Sequence, residues 1–277
     1  MALKDVLENK LKQGELKYVP RSFDIIGSKE RALAIVEIPK EIKRREKVIA
    51  NAIMKLHKNV KTVLEKSSPR RGVYRTRRMK IITGSKNTVV VHKENNCLIK
   101  IDPRKVYFSP REGTERLRVA QKVRKEETVM IFFAGAGPFA CVIGKLAKPE
   151  KIIGIEINPA AVRYFKENIK LNKLTNVAAI RGDVKKAAKE FYGQCDRVLM
   201  PLPESAVNYI EEAIHCLKSG GTCHLYCFSS ESDIPVVKKK ISAAGKKLGR
   251  KVNFLEAQKV LPWGPRIWKY RIDFTVS

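Results

Sequence analysis

The chain has 277 residues, and its 57 Lys and Arg against 28 Asp and Glu leave a formal net charge of +29. This length can bury one medium and one smaller domain. The charge exceeds what solubility needs, so the natural partner is an extended polyanion, with a lysine-rich, heat-adapted surface as the alternative. Residues 1–14 lack the apolar core of a signal peptide, and the uncharged run 128–144 is interrupted by glycine and short for a bilayer span. We therefore expect a cytoplasmic protein that does not enter membranes.

Residues 1–110 are predicted to form a small, basic α+β domain that binds RNA. Helical patterns cover residues 2–13 and 39–57, and strands at 87–92 and 97–102 flank the turn KENN. The stretch KSSPRRGVYRTRRMK (66–80) contains seven Lys or Arg with Tyr74 among them. That composition suits phosphate neutralisation together with stacking on an unpaired base. The candidate substrate-binding residues here are Arg70, Arg71, Arg75 and Arg78.

Residues 111–277 are predicted to form an α/β domain. From Val129 onward, apolar runs alternate with helical patterns, which indicates a mostly parallel sheet covered by helices on both faces. The last segment, RIWKYRIDFTV (266–276), alternates polar and apolar residues. This alternation predicts a strand that is half exposed or at an edge of the sheet.

The six cysteines form no CxxC pair, and they lie largely in apolar patterns. Cys223 and Cys227 alternate with Leu225, as on the buried face of a strand. We therefore expect reduced core cysteines and no metal site.

A glycine turn follows the first strand of the α/β domain, in FFAGAGPFA (132–140). Gly135 and Gly137 would let backbone amides approach a ligand without a Cβ in the way. Glu156, after the next strand, would bind ribose hydroxyls in a dinucleotide enzyme and in an S-adenosylmethionine (SAM) enzyme alike. Asp183, after the third strand, favours SAM, because an acid there faces the adenine in SAM enzymes; a plain βα turn with solvated acids is the remaining alternative. The predicted cofactor is SAM, and the neighbouring residues assigned to it are Phe133, Ile157, Val184 and Leu202.

Four stretches together resemble the archaeal–eukaryotic tRNA (guanine-37 N1)-methyltransferase family. They are KVYFSPREGTERLRVA (105–120), FFAGAGPFA, IEINPAAVRYFKENIKLNKL (155–174) and VLMPLPESA (198–206), in the order that the family has. The resemblance implies a Rossmann-like class I SAM-dependent methyltransferase domain that acts at position 37 of the tRNA anticodon loop. We expect phenylalanine tRNA to be among the substrates and the protein to be a monomer.

The resemblance also implies roles for individual residues. An arginine of an RxR stretch and a glutamate of SPRxxxER act at the target base in the family, and these match Arg77 and Glu115. Arg116 resembles a residue of the SAM pocket, and Tyr107 one that flanks the active site. Guanine N1 carries a proton and is a poor nucleophile, so Glu115 suits a general base and Arg77 a partner of O6. The alternatives are a surface salt bridge and a phosphate contact.

Two positions depart from the family pattern. Ile131 stands where an acid is common, and Pro201 replaces the usual asparagine, so that the motif is PLP and not NLP. Pro201, which we count among the catalytic residues, resembles an archaeal branch that also methylates C7 of the tricyclic wyosine precursor (imG-14 to imG2). Two other functions stay open: aminocarboxypropyl transfer from SAM, as in the related wybutosine enzyme, and RNA binding without catalysis.

Overall fold

The computed structural model describes residues 2–70 and 72–277. The chain divides into two compact units. The first comprises Met1–Glu94 and Leu98–Pro110, and the second comprises Asn95–Cys97 and Arg111–Ser277.

The first unit contains a four-stranded sheet with a helix packed against it. Apolar residues of the helix, such as Ile49 and Ile53, share one core with Val36 and Val63 of the sheet. The strands lie in the order β1-β2-β3-β4, and only β2 and β3 run parallel. The elements are α1 (Leu3–Leu7), β1 (Asp24–Gly27), β2 (Ala32–Val36), a 3-10 turn (Lys40–Arg45), α2 (Glu46–Leu56), β3 (Val60–Lys66) and β4 (Met79–Gly84).

Two sequence expectations apply to this half of the chain. The hairpin is confirmed as β5 (Val90–Glu94) and β6 (Cys97–Ile101), with Asn95 and Asn96 in the left-handed conformation between the strands. The helix predicted over residues 2–13 is wrong in extent, because α1 ends at Leu7. Asn9 and Gly14, which follow, are poor helix formers.

The second unit is a seven-stranded sheet with helices on both faces. The strand order is β12-β13-β11-β10-β7-β8-β9; β7 to β11 are parallel, and β13 is antiparallel to both of its neighbours. The strands are β7 (Thr128–Phe132), β8 (Lys151–Glu156), β9 (Val177–Arg181), β10 (Cys195–Met200), β11 (Leu217–Ser229), β12 (Val252–Gly264) and β13 (Ile267–Val276). The helices are α3 (Gly113–Ala120), α4 (Pro138–Leu146), α5 (Pro159–Leu171), α6 (Val184–Ala187), α7 (Ile210–Cys216) and α8 (Ile234–Lys247).

The parallel strands are almost entirely apolar because both of their faces are covered. Ile153 of β8 belongs to a core with residues of α7 and α8. Its neighbours Ile152 and Gly154 point the other way, toward Gly144 of α4 and Phe165 of α5. This arrangement confirms the predicted α/β fold.

The prediction for the last strand is wrong. β13 lies between β11 and β12, and its polar residues Lys269, Arg271 and Asp273 are buried. The edge strand on this side of the sheet is β12. The alternation of polar and apolar residues in β13 arises because its polar side chains form ion pairs inside the protein, and solvent does not reach them.

All six cysteines are buried free thiols, and Cys223 and Cys227 lie in β11 as expected. None of the helices within residues 2–70 and 72–277 combines the length and the apolar content that a bilayer span requires.

Candidate active site

The glycine turn between β7 and α4 has an unusual backbone. Phe133, Gly135 and Gly137 adopt positive φ angles of 54°, 58° and 76°. Gly137 is the N-cap of α4, and a Cβ built on it would overlap the ring of the buried Phe165. Glycine is therefore required at this position by both conformation and space.

Glu156, the last residue of β8, connects this turn to the next one. The Gly135 N–H donates to its Oε2 (2.8 Å), and the Asn158 N–H donates to its Oε1 (2.7 Å). Burial raises the pKa of Glu156, and the N–H groups of Asn158, Gly135 and Ile157 partly oppose that increase. A carboxylate has about four acceptor sites, so the buried Glu156 can still accept hydrogen bonds from a ligand.

The other predicted cofactor residues follow neighbouring strands. Asp183 caps α6 after β9, where its Oδ1 accepts from the Lys185 N–H (2.9 Å), and Val184 beside it is buried. Pro201 and the partly exposed Leu202 follow β10, in a turn where the Leu202 N–H donates to the Met200 carbonyl (2.9 Å). Because these strands are parallel neighbours, the fold brings the predicted residues to one edge of the sheet, where ligands bind in such folds.

Glu115 of α3 is a buried carboxylate with two unequal oxygens. Its Oε1 accepts from Arg271 Nη1 (2.7 Å) and from the Tyr226 hydroxyl (2.8 Å). Its Oε2 is also buried and has no hydrogen-bond partner within residues 2–70 and 72–277. Arg118 Nη1 lies 3.8 Å from that oxygen, beyond hydrogen-bond range. One oxygen is therefore occupied, and the other can accept a proton.

A chain of polar groups, all buried except the partly exposed Glu256, extends from Glu115 across the sheet. Arg271 donates through Nε to Asp273 Oδ1 (2.8 Å) and through Nη2 to Glu256 Oε2 (2.9 Å). His224 Nδ1 lies 2.7 Å from the same Asp273 oxygen, and its Nε2 lies 2.6 Å from Arg197 Nη1. We call this set, with Glu115 and Tyr226, the ionic layer.

The protonation of the ionic layer follows from its donors. Arginine can only donate, so Nε2 of His224 accepts and Nδ1 carries the proton that is donated to Asp273. Burial lowers the pKa of His224, which agrees with a neutral ring. Burial opposes ionisation of Asp273 as well, but the hydrogen bonds that His224 and Arg271 donate, together with the charge of Arg271, lower its pKa to about 2.

Sequence analysis missed the ionic layer. Its strand residues alternate with apolar ones, in HLY (224–226) and in KYRID (269–273), and such alternation usually indicates exposure. A partial signal was available in KYRID, where Lys269, Arg271 and Asp273 put charges of both signs on one face of a strand.

Arg116 is also buried on α3, with its Nη1 4.0 Å from Glu112 Oε2. The other oxygen of Glu112 pairs with Lys269 Nζ (3.0 Å). The two predicted residues of this helix, Glu115 and Arg116, therefore both lie among buried charges.

In the first unit, the predicted residues Arg70, Arg75, Arg77 and Tyr107 line one cavity. The guanidinium carbon of Arg70 lies 4.1 Å from the centre of the Tyr107 ring, a cation–π contact. Burial and the neighbouring Arg70 lower the pKa of Arg77, which nevertheless stays charged. Arg78 is exposed, and Arg71 lies outside the described residues.

Known proteins resemble the chain over nearly its whole length. The profile of the TRM5/TYW2 methyltransferase domain matches residues 90–253, and that of the TYW2 N-terminal domain matches residues 3–88. The tRNA (guanine(37)-N(1))-methyltransferase Trm5b of Pyrococcus abyssi is 42% identical over 262 residues, which are 94% of this chain and 76% of that protein. The tRNA (guanine(37)-N(1))/4-demethylwyosine(37)-methyltransferase Taw22 of Nanoarchaeum equitans is 30% identical over 304 residues, covering 91% of this chain and 98% of its own.

A solved structure matches equally widely. The crystal structure of P. horikoshii TYW2 in complex with MeSAdo has a TM-score of 0.82 at 27% identity, covering 99% of this chain and 97% of that chain. Two profiles that together cover almost the whole sequence, and a relative at 42% identity, agree with the arrangement of the sheet edge and the buried glutamate. The chain therefore belongs to the TRM5/TYW2 methyltransferase family.

Proposed function

We propose that this protein transfers the methyl group of SAM to N1 of guanosine-37 in the anticodon loop of tRNA. The observation that supports this most is Glu115, a buried carboxylate with one occupied oxygen and one that accepts no hydrogen bond from the described residues. The names of the relatives support the choice of substrate, because P. abyssi Trm5b is a tRNA (guanine(37)-N(1))-methyltransferase.

The edge of the sheet fits SAM. Glu156 is a buried carboxylate with unused acceptor capacity, which suits the ribose hydroxyls, and Asp183 follows the next strand, where it suits the adenine. The similar structure of P. horikoshii TYW2, which is a complex with MeSAdo, supports a cofactor of this type. Phe133, Gly135, Gly137, Ile157, Val184 and Leu202 would complete the pocket, with Arg116 beside it. SAM supplies an electrophilic methyl group on a sulfonium centre.

The protein must then remove the proton of N1. As the bond between N1 and the methyl carbon forms and the carbon–sulfur bond breaks, the N1 proton passes to Oε2 of Glu115. Arg77 stabilises the negative charge that develops at O6. Pro201 forms part of the loop beside the target base.

The first unit is proposed to bind the tRNA. Arg70, Arg75, Arg77 and Tyr107 gather cationic and aromatic groups at one cavity, and Arg71 and Arg78 belong to the same basic stretch. The net charge of +29 supports contact with phosphates. We propose that phenylalanine tRNA is among the substrates and that the enzyme acts in the cytoplasm as a monomer.

A second activity is methylation of C7 in the tricyclic wyosine precursor. Pro201 favours it, because proline replaces an amide side chain beside the base by a smaller, apolar ring. The 30% identity to N. equitans Taw22, which is named for both activities, supports it as well.

One experiment separates these reactions. SAM is labelled either in the methyl carbon or in the aminobutyryl carbons, and each form is offered with a tRNA that has G37 and with a tRNA that has the tricyclic precursor. We expect methyl label in both tRNAs. Transfer of the aminobutyryl label would instead identify an aminocarboxypropyltransferase, and SAM binding without any transfer would leave an RNA-binding protein.

The role of Glu115 is tested by Glu115→Gln. A general base contributes on the order of 10²–10⁴ in rate, so the single-turnover rate should fall by that factor while the Kd of SAM stays within a few-fold. The matched control is Glu65→Gln, since Glu65 is also a buried glutamate with an ionic partner, Lys43, and belongs neither to the ionic layer nor to the predicted site. Equal rates for Glu115→Gln and the wild type would overturn the assignment.

A further inference from the structure

Two buried hydrogen-bond donors contact Glu115, and both come from strands that are distant from α3 in the sequence. Tyr226 is on β11 and Arg271 is on β13, and the two residues are paired directly opposite each other in the antiparallel register. Both reach the same carboxylate oxygen of α3. The register of the two strands therefore determines where that carboxylate lies.

We propose that Arg271 and Tyr226 are positioning residues, which hold Oε1 of Glu115 so that Oε2 faces the substrate as the sole proton acceptor. This inference rests on the proposed function, because it assumes that Glu115 is the general base. Neither residue touches the reacting atoms in this scheme; both act through Glu115.

The way in which Arg271 binds Glu115 supports this role. An arginine paired with one carboxylate usually forms two parallel hydrogen bonds that occupy both oxygens. Arg271 instead donates to Glu115 through Nη1 alone, and its Nε and Nη2 donate to Asp273 and Glu256. Because three carboxylates hold the three nitrogens, the planar group cannot turn to occupy Oε2 as well.

Tyr226 contributes a second donor with fixed direction. Burial, followed by the nearby charge of Glu115, raises the pKa of Tyr226 well above its ordinary value, so the hydroxyl keeps its proton. That single proton points to Oε1 of Glu115. Two donors on one oxygen leave the other oxygen as the base, and Arg118 Nη1 lies 3.8 Å from that Oε2.

The rest of the ionic layer supports Arg271. Asp273 accepts from both Arg271 and His224, and His224 is held in turn by Arg197. Loss of any of these contacts would leave a buried charge without its partner, which costs free energy of folding. The layer therefore holds the guanidinium group of Arg271 in place, and Arg271 in turn holds Glu115.

The test compares Arg271→Gln, Arg271→Lys and Tyr226→Phe with the control Asp196→Asn. Asp196 is a carboxylate of the same sheet outside the ionic layer, where it accepts from the Thr128 N–H (2.8 Å) and pairs with Lys218 (2.9 Å). Each variant is measured for its melting temperature, the Kd of SAM, and the single-turnover methylation rate between pH 5.5 and 9, at saturating SAM and tRNA.

We expect Arg271→Gln to move the acid limb of the pH–rate profile to higher pH, because loss of the cation favours the protonated carboxyl group of Glu115. Arg271→Lys keeps the positive charge and should return the acid limb of the profile to its wild-type pH. Its rate should still be about 10-fold or more below that of the wild type, since lysine cannot hold three carboxylates in one plane. Tyr226→Phe, which removes one hydroxyl, should lower the rate about 10-fold, the size of a 1.4 kcal/mol hydrogen bond. Asp196→Asn, which weakens an ion pair outside the ionic layer, should lower the melting temperature and leave the profile as in the wild type.

The outcomes that overturn the inference are distinct from those that overturn the function. If Glu115→Gln is inactive while Tyr226→Phe and Arg271→Gln keep the wild-type rate and profile, Glu115 is the base but needs no positioning. If the Arg271 variants lose activity merely in parallel with their melting temperatures and keep the wild-type pH profile, as the Asp196→Asn control does, their role is structural. If Glu115→Gln is fully active, the proposed function itself falls.

Discussion

Replacement of Gly137 by alanine tests why the turn after β7 contains glycine. The residue has a φ of 76°, and a new Cβ would overlap ring carbon Cδ2 of Phe165. The positive φ and the overlap with Phe165 are two separate reasons for glycine, and each of two other glycines in the chain has one of these reasons without the other. Gly193 has a φ of 71° with open space around a built Cβ, whereas a Cβ on Gly154, which lacks a positive φ, would overlap the same Phe165 ring.

The magnitudes follow from the two causes. A left-handed conformation costs an alanine about 1–2 kcal/mol, and overpacking in a core costs about 1–3 kcal/mol. Gly193→Ala should therefore lower the free energy of unfolding by the first amount and Gly154→Ala by the second. Gly137→Ala should lower it by roughly their sum, about 2–5 kcal/mol.

Urea unfolding of the three variants measures these losses, and calorimetry measures the Kd of SAM for each folded protein. Since the turn faces the proposed cofactor edge, Gly137→Ala should also weaken SAM binding, while Gly193→Ala should not. In a Phe165→Leu background, the loss caused by Gly137→Ala should decrease toward that of Gly193→Ala, because the smaller side chain relieves the overlap. Equal losses for Gly137→Ala and Gly193→Ala in the wild-type background would refute the reasoning.

Four further predictions concern the cofactor, the ionic layer, the target base and the tRNA. Glu156→Gln should weaken SAM binding about 10-fold or more, since hydrogen bonds to a charged group contribute about 1.5–3 kcal/mol; an unchanged Kd in calorimetry would contradict the ribose role. The pKa of His224 is lowered from 6.5 in the folded state, so on acidification the unfolded chain takes up the proton first. The free energy of unfolding should therefore decrease as the pH falls below about 6.5, by at most about 1.4 kcal/mol per pH unit. His224→Gln should remove that slope in urea titrations at several pH values, and parallel curves would disprove its origin. Pro201→Asn should lower methylation of the tricyclic precursor while guanosine-37 methylation survives, and equal losses in methyl incorporation would remove the specificity role. Binding of tRNA should weaken with salt, with each neutralised phosphate adding roughly −0.7 to −0.9 to the slope of log K against log[salt]; a slope near zero would mean that the positive charge does not contact RNA.

The edge of the parallel sheet could be predicted from sequence because each of its residues has a local signal. Gly135, Glu156, Asp183 and Pro201 each lie at the end of a strand or within three residues after it, and the order of strands in such folds then brings them together. The likeness of the motifs to a known family had the same local basis.

The surroundings of Glu115 could not be predicted in this way. Arg271 lies 156 residues further along the chain, and Tyr226 lies 111 residues further. The alternation in β13 does not by itself distinguish a buried arginine from an exposed one, so the strand was predicted to be half exposed or at an edge of the sheet. The partners of Arg271 and Tyr226 become visible in the structure, which shows the register of β11 with β13 and the position of α3 beside them.

The ionic layer also has a consequence for the response of the protein to heat. Removing charges from water carries a free-energy penalty that becomes smaller as the temperature rises, because the hydration of ions has a strongly negative entropy. Near room temperature, a buried set such as Arg197, His224, Asp273 and Arg271 can be no more stable than apolar side chains of the same volume. In hot water the same set favours the folded state more strongly. The ionic layer should therefore keep the carboxylate of Glu115 in position at high temperature. A carboxylate held by apolar packing alone would become mobile at lower temperatures.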